Sequence, residues 1–472
     1  MIFSNLRSIE GAGRASRAAK ATAFFLLLVV AISACGSSDE QQGNARAAGS
    51  ASNSPGLEEP SEDALPEVST STTSTTVPVT TTTEPPLLRT VQISPSGRDS
   101  SFGGPGEPVA TVARALSRLA PGGTIEFEPG VYAPLTLSGV NGLPDLPIRL
   151  VGQPGVEFRG FGHSSDAGIL IEDSSNIEIV GMTVRTVLWG IYVANSDNIE
   201  IVNNDVADIG QEAIRIKDGS SNVTISDNRI ADTGQRTDNG IPNGEGIYIG
   251  TGTPSGEDFV TDVLISNNTI TGIADEAIDI KTPATNVTVV DNTISDVVTH
   301  TTGAIVVHLN NESDADPNIT IERNVVRDVS RASQFNDGNC IVTEATVRIV
   351  NNVLHNCQHR GIFLRGDTGL ATILHNTFVN SGSFGAIIDE GLGIDLISEN
   401  NLGVAGAANA RATASDFVSV ATSDYRLEAP FTNAFTTTPA TGVSDDLTRN
   451  AQHLGNRHLR CPRGKLDPRF RA

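Results

Sequence analysis

Basic side chains are scarce in this chain: 32 Lys and Arg stand against 55 Asp and Glu, a formal charge of −23. That balance excludes nucleic acid as a partner, because phosphate binding needs clustered Lys and Arg. A polyanion of any kind has to be approached through a local basic patch or a bound cation. Aromatics are few as well, at 4%, so a core has to be built from Ile, Val and Leu. A long apolar run is also lacking. The stretch AFFLLLVVAISA, preceded by Arg14, Arg17 and Lys20, is too short to span a bilayer and fits the central region of a secretory signal.

What is present is a repeat. The segment NVTVVDNTI from Asn286 recurs as NIEIVGMTV from Asn176, NIEIVNNDV from Asn198, NVTISDNRI from Asn222 and DVLISNNTI from Asp262. It continues as NITIERNVV from Asn318, TVRIVNNVL from Thr346, LATILHNTF from Leu370 and IDLISENNL from Ile394. The seventh place reads Asn204, Asn228, Asn268, Asn292, Asn324, Asn352, Asn376 and Asn400, with Met182 in the first unit. The steps between these asparagines are 24, 40, 24, 32, 28, 24 and 24, a base period near 24 with insertions. Such a period means a solenoid, in which stacked units supply one another's core. Alternation within each unit has the period of two that belongs to strands. Asparagine suits the bend between strands, since it tolerates the left-handed backbone conformation and a stacked amide column can hydrogen-bond from coil to coil. The Asn-X-Thr triplets at Asn222, Asn286 and Asn318 fall out of this repeat and are read as structural.

The end of the leader, Ile32-Ser33-Ala34-Cys35, resembles the bacterial lipoprotein cleavage box. The resemblance implies that residues 1–34 are removed, that Cys35 carries lipid, and that the protein is secreted and anchored to the outer face of a cell membrane. Residues 35–87 are mainly Ser, Thr, Pro and Ala and cannot bury a core. As a flexible tether they would reach roughly 40 Å.

The segment from Val91 to Tyr132 resembles the opening of secreted proteins of the pectate-lyase-like superfamily, and DYRLEAPFTNA from Asp424 resembles their closing segment. The implied fold is all-β, a right-handed parallel β-helix over 88–435 with about 10–12 coils. Val109, Val112, Leu116 and Leu119 form one helical face that caps its open end before Ile125 and Phe127 begin the strands. Residues 436–472 are then a C-terminal cap and basic tail. Cys340 and Cys357 fall on neighbouring coils and are either disulfide-bonded, which an extracellular address permits, or buried thiols. Cys461 has no evident partner.

Ahead of each asparagine bend lies a strand of the form small-Ile-x-Ile-x, with positions three and five outward. The fifth column contains Glu172, Ala194, Lys217, Gly250, Lys281, His308, Glu344, Arg365 and Glu390; the third contains Tyr192, Arg215, Tyr248, Asp279 and Phe363. Glu212, Glu245 and Glu276 share one place on three consecutive coils. At a spacing of about 4.8 Å they repel one another unless cations sit among them. The 40-residue step places extra chain on both sides of GIYIG, as walls of a groove floored by Arg215, Lys217, Tyr248, Asp279 and Lys281.

EAIDIKT at Glu276–Thr282 resembles the Glu-x-Ile-x-x-Lys-Ser/Thr strand of the chondroitinase-B and alginate-lyase family. That resemblance implies a surface protein acting on acidic polysaccharide by Ca²⁺-assisted β-elimination, with Glu276 on the metal and Lys281 taking the C5 proton of a uronate. Glu245 and Glu212 complete the expected metal set. The family's arginine on the next coil is His308 here, a second proton-transfer candidate, and Lys217 is the alternative base. Arg215, Tyr248, Asp279, Tyr192 and Arg365 are the expected substrate contacts; Trp189 and Phe363 are further surfaces on which a sugar ring could stack. Two other readings stand beside this one. A glycoside hydrolase would want two or three clustered aspartates, and only Asp279 is central. A non-catalytic glycan-binding lipoprotein would use the same groove. The expected partners are an acidic polysaccharide and a membrane touched through the lipid alone, with the chain acting as a monomer.

Overall fold

A computed structural model of the chain describes residues 86–427 apart from 237–243, 253–257, 301, 310–316, 333–336, 366–368, 382–386, 390–394, 400, 403–416 and 420–423. The leader, Cys35, nearly all of the tether, Glu390, Asn400, Cys461 and the basic tail lie outside the described residues.

Three parallel sheets of 12, 10 and 10 strands run side by side, and each coil contributes one strand to each sheet in turn. One such coil is Ile278–Lys281, Thr285–Val290 and Thr293–Thr299, after which Gly303–His308 begins the next. The molecule is a right-handed parallel β-helix. Its core is aliphatic: Ile278, Ile280, Val287, Val289, Ile294 and Val297 of that coil are all fully buried. No strand could stay soluble with such a face alone, so each coil depends on its neighbours.

The corners are made by side chains that accept a left-handed backbone. Asn203, Asp227, Asn267, Asp291, Arg323, Asn351 and His375 have φ between 54° and 58°. Asn176, Asn198, Asn222, Asp262, Asn286 and Asn318 do the same at the start of the first-sheet strands. At the bend after the first-sheet strand the left-handed residue is therefore the sixth of these units, where the sequence reading put it at the seventh. The seventh-place asparagines do other work. From Asn204 to Asn376 they are buried, and each Oδ1 accepts from the backbone N–H of the residue one coil earlier, for example Asn268 N to Asn292 Oδ1 at 2.9 Å. The ladder starts where Met182 N donates to Asn204 Oδ1, and ends on Asn401, not Asn400. One extra residue in that last coil moves the register.

At the open end the helix Val112–Arg118 is capped by Thr111, whose hydroxyl accepts from Arg114 N. It is shorter than the apolar face suggested. Val109 bridges to Ile93, and Leu119 already begins the strand Leu119–Phe127, so only Val112 and Leu116 of the expected four lie on the helix. Both pack against the core beside fully buried Ala115. Cys340 and Cys357 are joined in a disulfide with their Cα atoms 5.4 Å apart. Asp424–Leu427 pairs antiparallel with Phe417–Ser419.

Candidate active site

Five successive strands of the second sheet carry the candidate site: Trp189–Ala194, Ile214–Lys217, Ile247–Ile249, Ile278–Lys281 and Gly303–His308. Alternation turns their isoleucines into the core and the residues between them outward. Register stacks Tyr192, Arg215, Tyr248 and Asp279 in one column, and Lys281 and His308 in the next. Gly250 holds the place between Lys217 and Lys281. Its φ is +79°, and a Cβ there would lie 2.6 Å from the Lys281 carbonyl oxygen, so glycine is required. Both lysines therefore face the Tyr248 ring, with Lys217 Nζ 4.1 Å and Lys281 Nζ 5.6 Å from its centroid.

Beside the lysines lie acids. Glu245, Glu276 and Asp279 are buried and bring carboxylate oxygens within 4.8 Å of one another. The third member is Asp279, where the sequence reading placed Glu212. Glu212 is buried one coil earlier, and its Oε1 is 3.7 Å from Arg215 Nε. Burial, followed by the charges of Glu212, Glu276 and Asp279, holds the Glu245 carboxyl well above the usual range. Among the described residues its Oε2 is buried without a hydrogen-bond partner. Asp275, which the sequence reading missed, is pushed up in the same way by burial and by Glu276. Glu276 Oε1 accepts from Thr302 Oγ1 at 2.6 Å. Asp279 Oδ2 is 2.8 Å from Lys281 Nζ, an ion pair whose alignment is too poor for a hydrogen bond. Closely set, buried carboxylates with an oxygen unpartnered among the described residues are a donor set that fits a hard divalent cation.

Downstream, His308 sits between two acids. Its Nε2 is 3.6 Å from Asp279 Oδ1 and its Nδ1 is 3.4 Å from Glu344 Oε2. Glu344 also accepts from Leu309 N at 3.1 Å and from Arg365 Nε at 2.5 Å. Burial works against ionisation of Glu344, yet the His308 and Arg365 charges and hydrogen bonds overcome it and bring its pKa down to about 2. Arg365, expected to touch substrate, is thus engaged with Glu344. Upstream, burial and then the Arg215 charge bring the Lys217 ammonium down to about 8. Lys217 donates to Thr251 Oγ1 at 3.3 Å, and Thr251 donates to Asp258 at 2.5 Å. Burial, and after it Asp279, push the Tyr248 phenol up, so it keeps its proton.

A family profile for a right-handed beta helix region matches residues 167–344 and 264–402, together half of the chain. The chain belongs to the right-handed beta helix family. Within the family's fold it is similar to an alginate lyase from Paenibacillus sp. str. FPU-7, at 18% identity and TM-score 0.46 over 66% of this chain and 98% of that one. It is also similar to pectate lyase Pel9A, at 16% identity and TM-score 0.47 over 77% and 94%. A rhamnogalacturonan lyase gives 13% identity and TM-score 0.44 over 78% and 99%. A comparison with curated proteins finds no match. At that level of likeness the chemistry of this β-helix has to be argued from its own residues.

One expected sugar surface is removed. Phe363 is fully buried with Val306 and Val342, the same outward column further along the sheet, and the Arg360 guanidinium lies 3.9 Å from its ring. The outward column changes from half-buried polar residues at Tyr192, Arg215 and Tyr248 to a closed apolar cluster past Asp279. Among the described residues the candidate site therefore ends near Arg365.

Proposed function

We propose that this β-helix acts on an acidic polysaccharide by β-elimination at a uronate. One observation carries the reading: Lys281, His308 and three converging carboxylates occupy neighbouring outward positions of one sheet face. Lys281 takes the C5 proton. The electron pair left behind forms the C4–C5 double bond, the bond from C4 to the linking oxygen breaks, and His308 gives that oxygen a proton. Asp279 holds Lys281 at the face, while Glu344, fixed by Arg365, orients the His308 ring. Arg215 and Lys217 supply the positive charge that a polyanion needs on an acidic protein. Ca²⁺ bound to Glu245, Glu276 and Asp279 would neutralise the uronate carboxylate and acidify its C5 proton.

The test is digestion of pectate, alginate and a glycosaminoglycan by the purified protein. A 4,5-unsaturated uronide, seen by its near-ultraviolet absorbance, is expected from one of them. Chelation should slow its release, and Lys281→Ala should lower turnover by about 10²–10⁴-fold. Polymer binding without any unsaturated product, with or without Ca²⁺, would instead make the protein a non-catalytic glycan receptor.

A further inference from the structure

The chain's one tryptophan and two of its four tyrosines stand on this one face. Trp189 and Tyr192 meet edge to face with centroids 5.9 Å apart. Arg215, on the next coil, lays its guanidinium over both rings, 4.6 Å from Trp189 and 4.8 Å from Tyr192. Gln211 fixes the indole by accepting from Trp189 Nε1 at 3.0 Å. None of these side chains is in the core; all three are half-buried on the outward side of the sheet.

Packing explains the rings, and Arg215 lies in ion-pair range of the buried Glu212, yet its hydrogen-bonding capacity is unused. Among the described residues its guanidinium makes no hydrogen bond: Nε is buried without a partner, and Glu212 Oε1, at 3.7 Å, is beyond hydrogen-bond reach. A desolvated guanidinium with open donors is matched by a carboxylate, which it can hold with two parallel bonds. Aromatic faces beside it match the apolar face of a sugar ring.

We infer that Trp189, Tyr192 and Arg215 form a subsite for a second uronate unit, remote from the linkage that is cleaved. The inference rests on the preceding reading that the ligand is a uronate polymer. Arg215 lies two strand spacings and Tyr192 three from the coil that carries Lys281, about 10–14 Å. A ligand touching both places is a chain laid along the helix axis, across the strands. Short fragments would fill one place and lose the other.

Because Trp189 is the only tryptophan, its fluorescence reports on this place and nowhere else. The experiment titrates the protein with long uronate oligomers of the pectate and alginate types, and with neutral oligosaccharides of equal length. A saturable change in Trp189 emission is expected with a uronate oligomer and absent with the neutral ones, and Arg215→Met should weaken it at least tenfold. Calorimetric binding of a uronate oligomer with unchanged emission would overturn the subsite while leaving the proposed function intact. Equal binding of neutral and acidic oligomers, unaffected by Arg215→Met, would overturn the carboxylate recognition. Binding of none of these oligomers, with no unsaturated product from any polymer, would sink both readings together.

Discussion

Lys217 and Lys281 both face Tyr248, but their surroundings give them different work. Lys281 touches Asp279 at 2.8 Å, whereas Lys217 lies buried beside Arg215 and loses its proton near pH 8 rather than above 10. Below about pH 8 Lys217 is an ammonium and adds to the attraction for a polyanion; above it the charge is gone. Affinity for a uronate oligomer should therefore fall as pH rises from 7 to 9.5, by up to about tenfold if one charged contact is lost. Lys217→Met should bind more weakly at pH 7 and show a smaller fall, leaving only the part owed to ionisation of the raised Glu245 and Asp275 carboxyls. Trp189 emission at the two pH values measures it, and a wild-type affinity that stays level through pH 8 would remove Lys217 from the binding face.

Among the elements, the asparagine ladder is what a reader of the sequence could see most plainly, and it also marks where that reading stops. A column of asparagines at a period near 24 is visible in one dimension. Which member of each Asp-Asn or Asn-Asn pair bends the chain and which one stacks is not, because both tolerate the bend and, as buried Asn351 and Asn352 show, both can be enclosed. For the same reason Asn400 and Asn401 were exchanged. The outward face was legible as two columns of residues. The membership of the carboxylate group was not, since Glu212 and Asp279 are both one coil from Glu245 and side-chain direction decides between them. Nor does the pattern announce that the third column closes into Val306, Val342 and Phe363. The ladder itself makes a definite claim on stability. Asn292 Oδ1 accepts from both the backbone N–H and Nδ2 of Asn268, at 2.9 and 3.0 Å, with all atoms buried. Asn292→Ala leaves the Asn268 N–H unpaired and takes one of two partners from its Nδ2, which keeps the Ile225 carbonyl oxygen; each lost buried bond costs about 1–3 kcal/mol. A loss on the order of 3 kcal/mol is expected in guanidinium unfolding, and a loss under about 1 kcal/mol would mean that water replaces the amide.

At the scale of the whole molecule the charge of −23 and the basic row of Arg215, Lys217 and Lys281 oppose each other over different distances. A uronate chain approaching from solution meets first the repulsion of the whole surface, which acts at long range and is screened within about 10 Å at 0.1 M salt. The attraction comes from three side chains that are partly or wholly buried, where screening is weaker. Monovalent salt should therefore remove more of the repulsion than of the attraction. The association rate of a uronate oligomer, followed by stopped-flow Trp189 emission, is expected to rise several-fold between 10 and 150 mM salt. That sign is opposite to the one a basic polyanion-binding protein gives, where salt weakens steering. Arg215→Met should steepen the rise, since it removes a local attraction and leaves the repulsion untouched. An association rate that falls with added salt would mean that the basic row governs the approach as well as the contact, and that the acidic surface elsewhere is turned away from the path of the ligand.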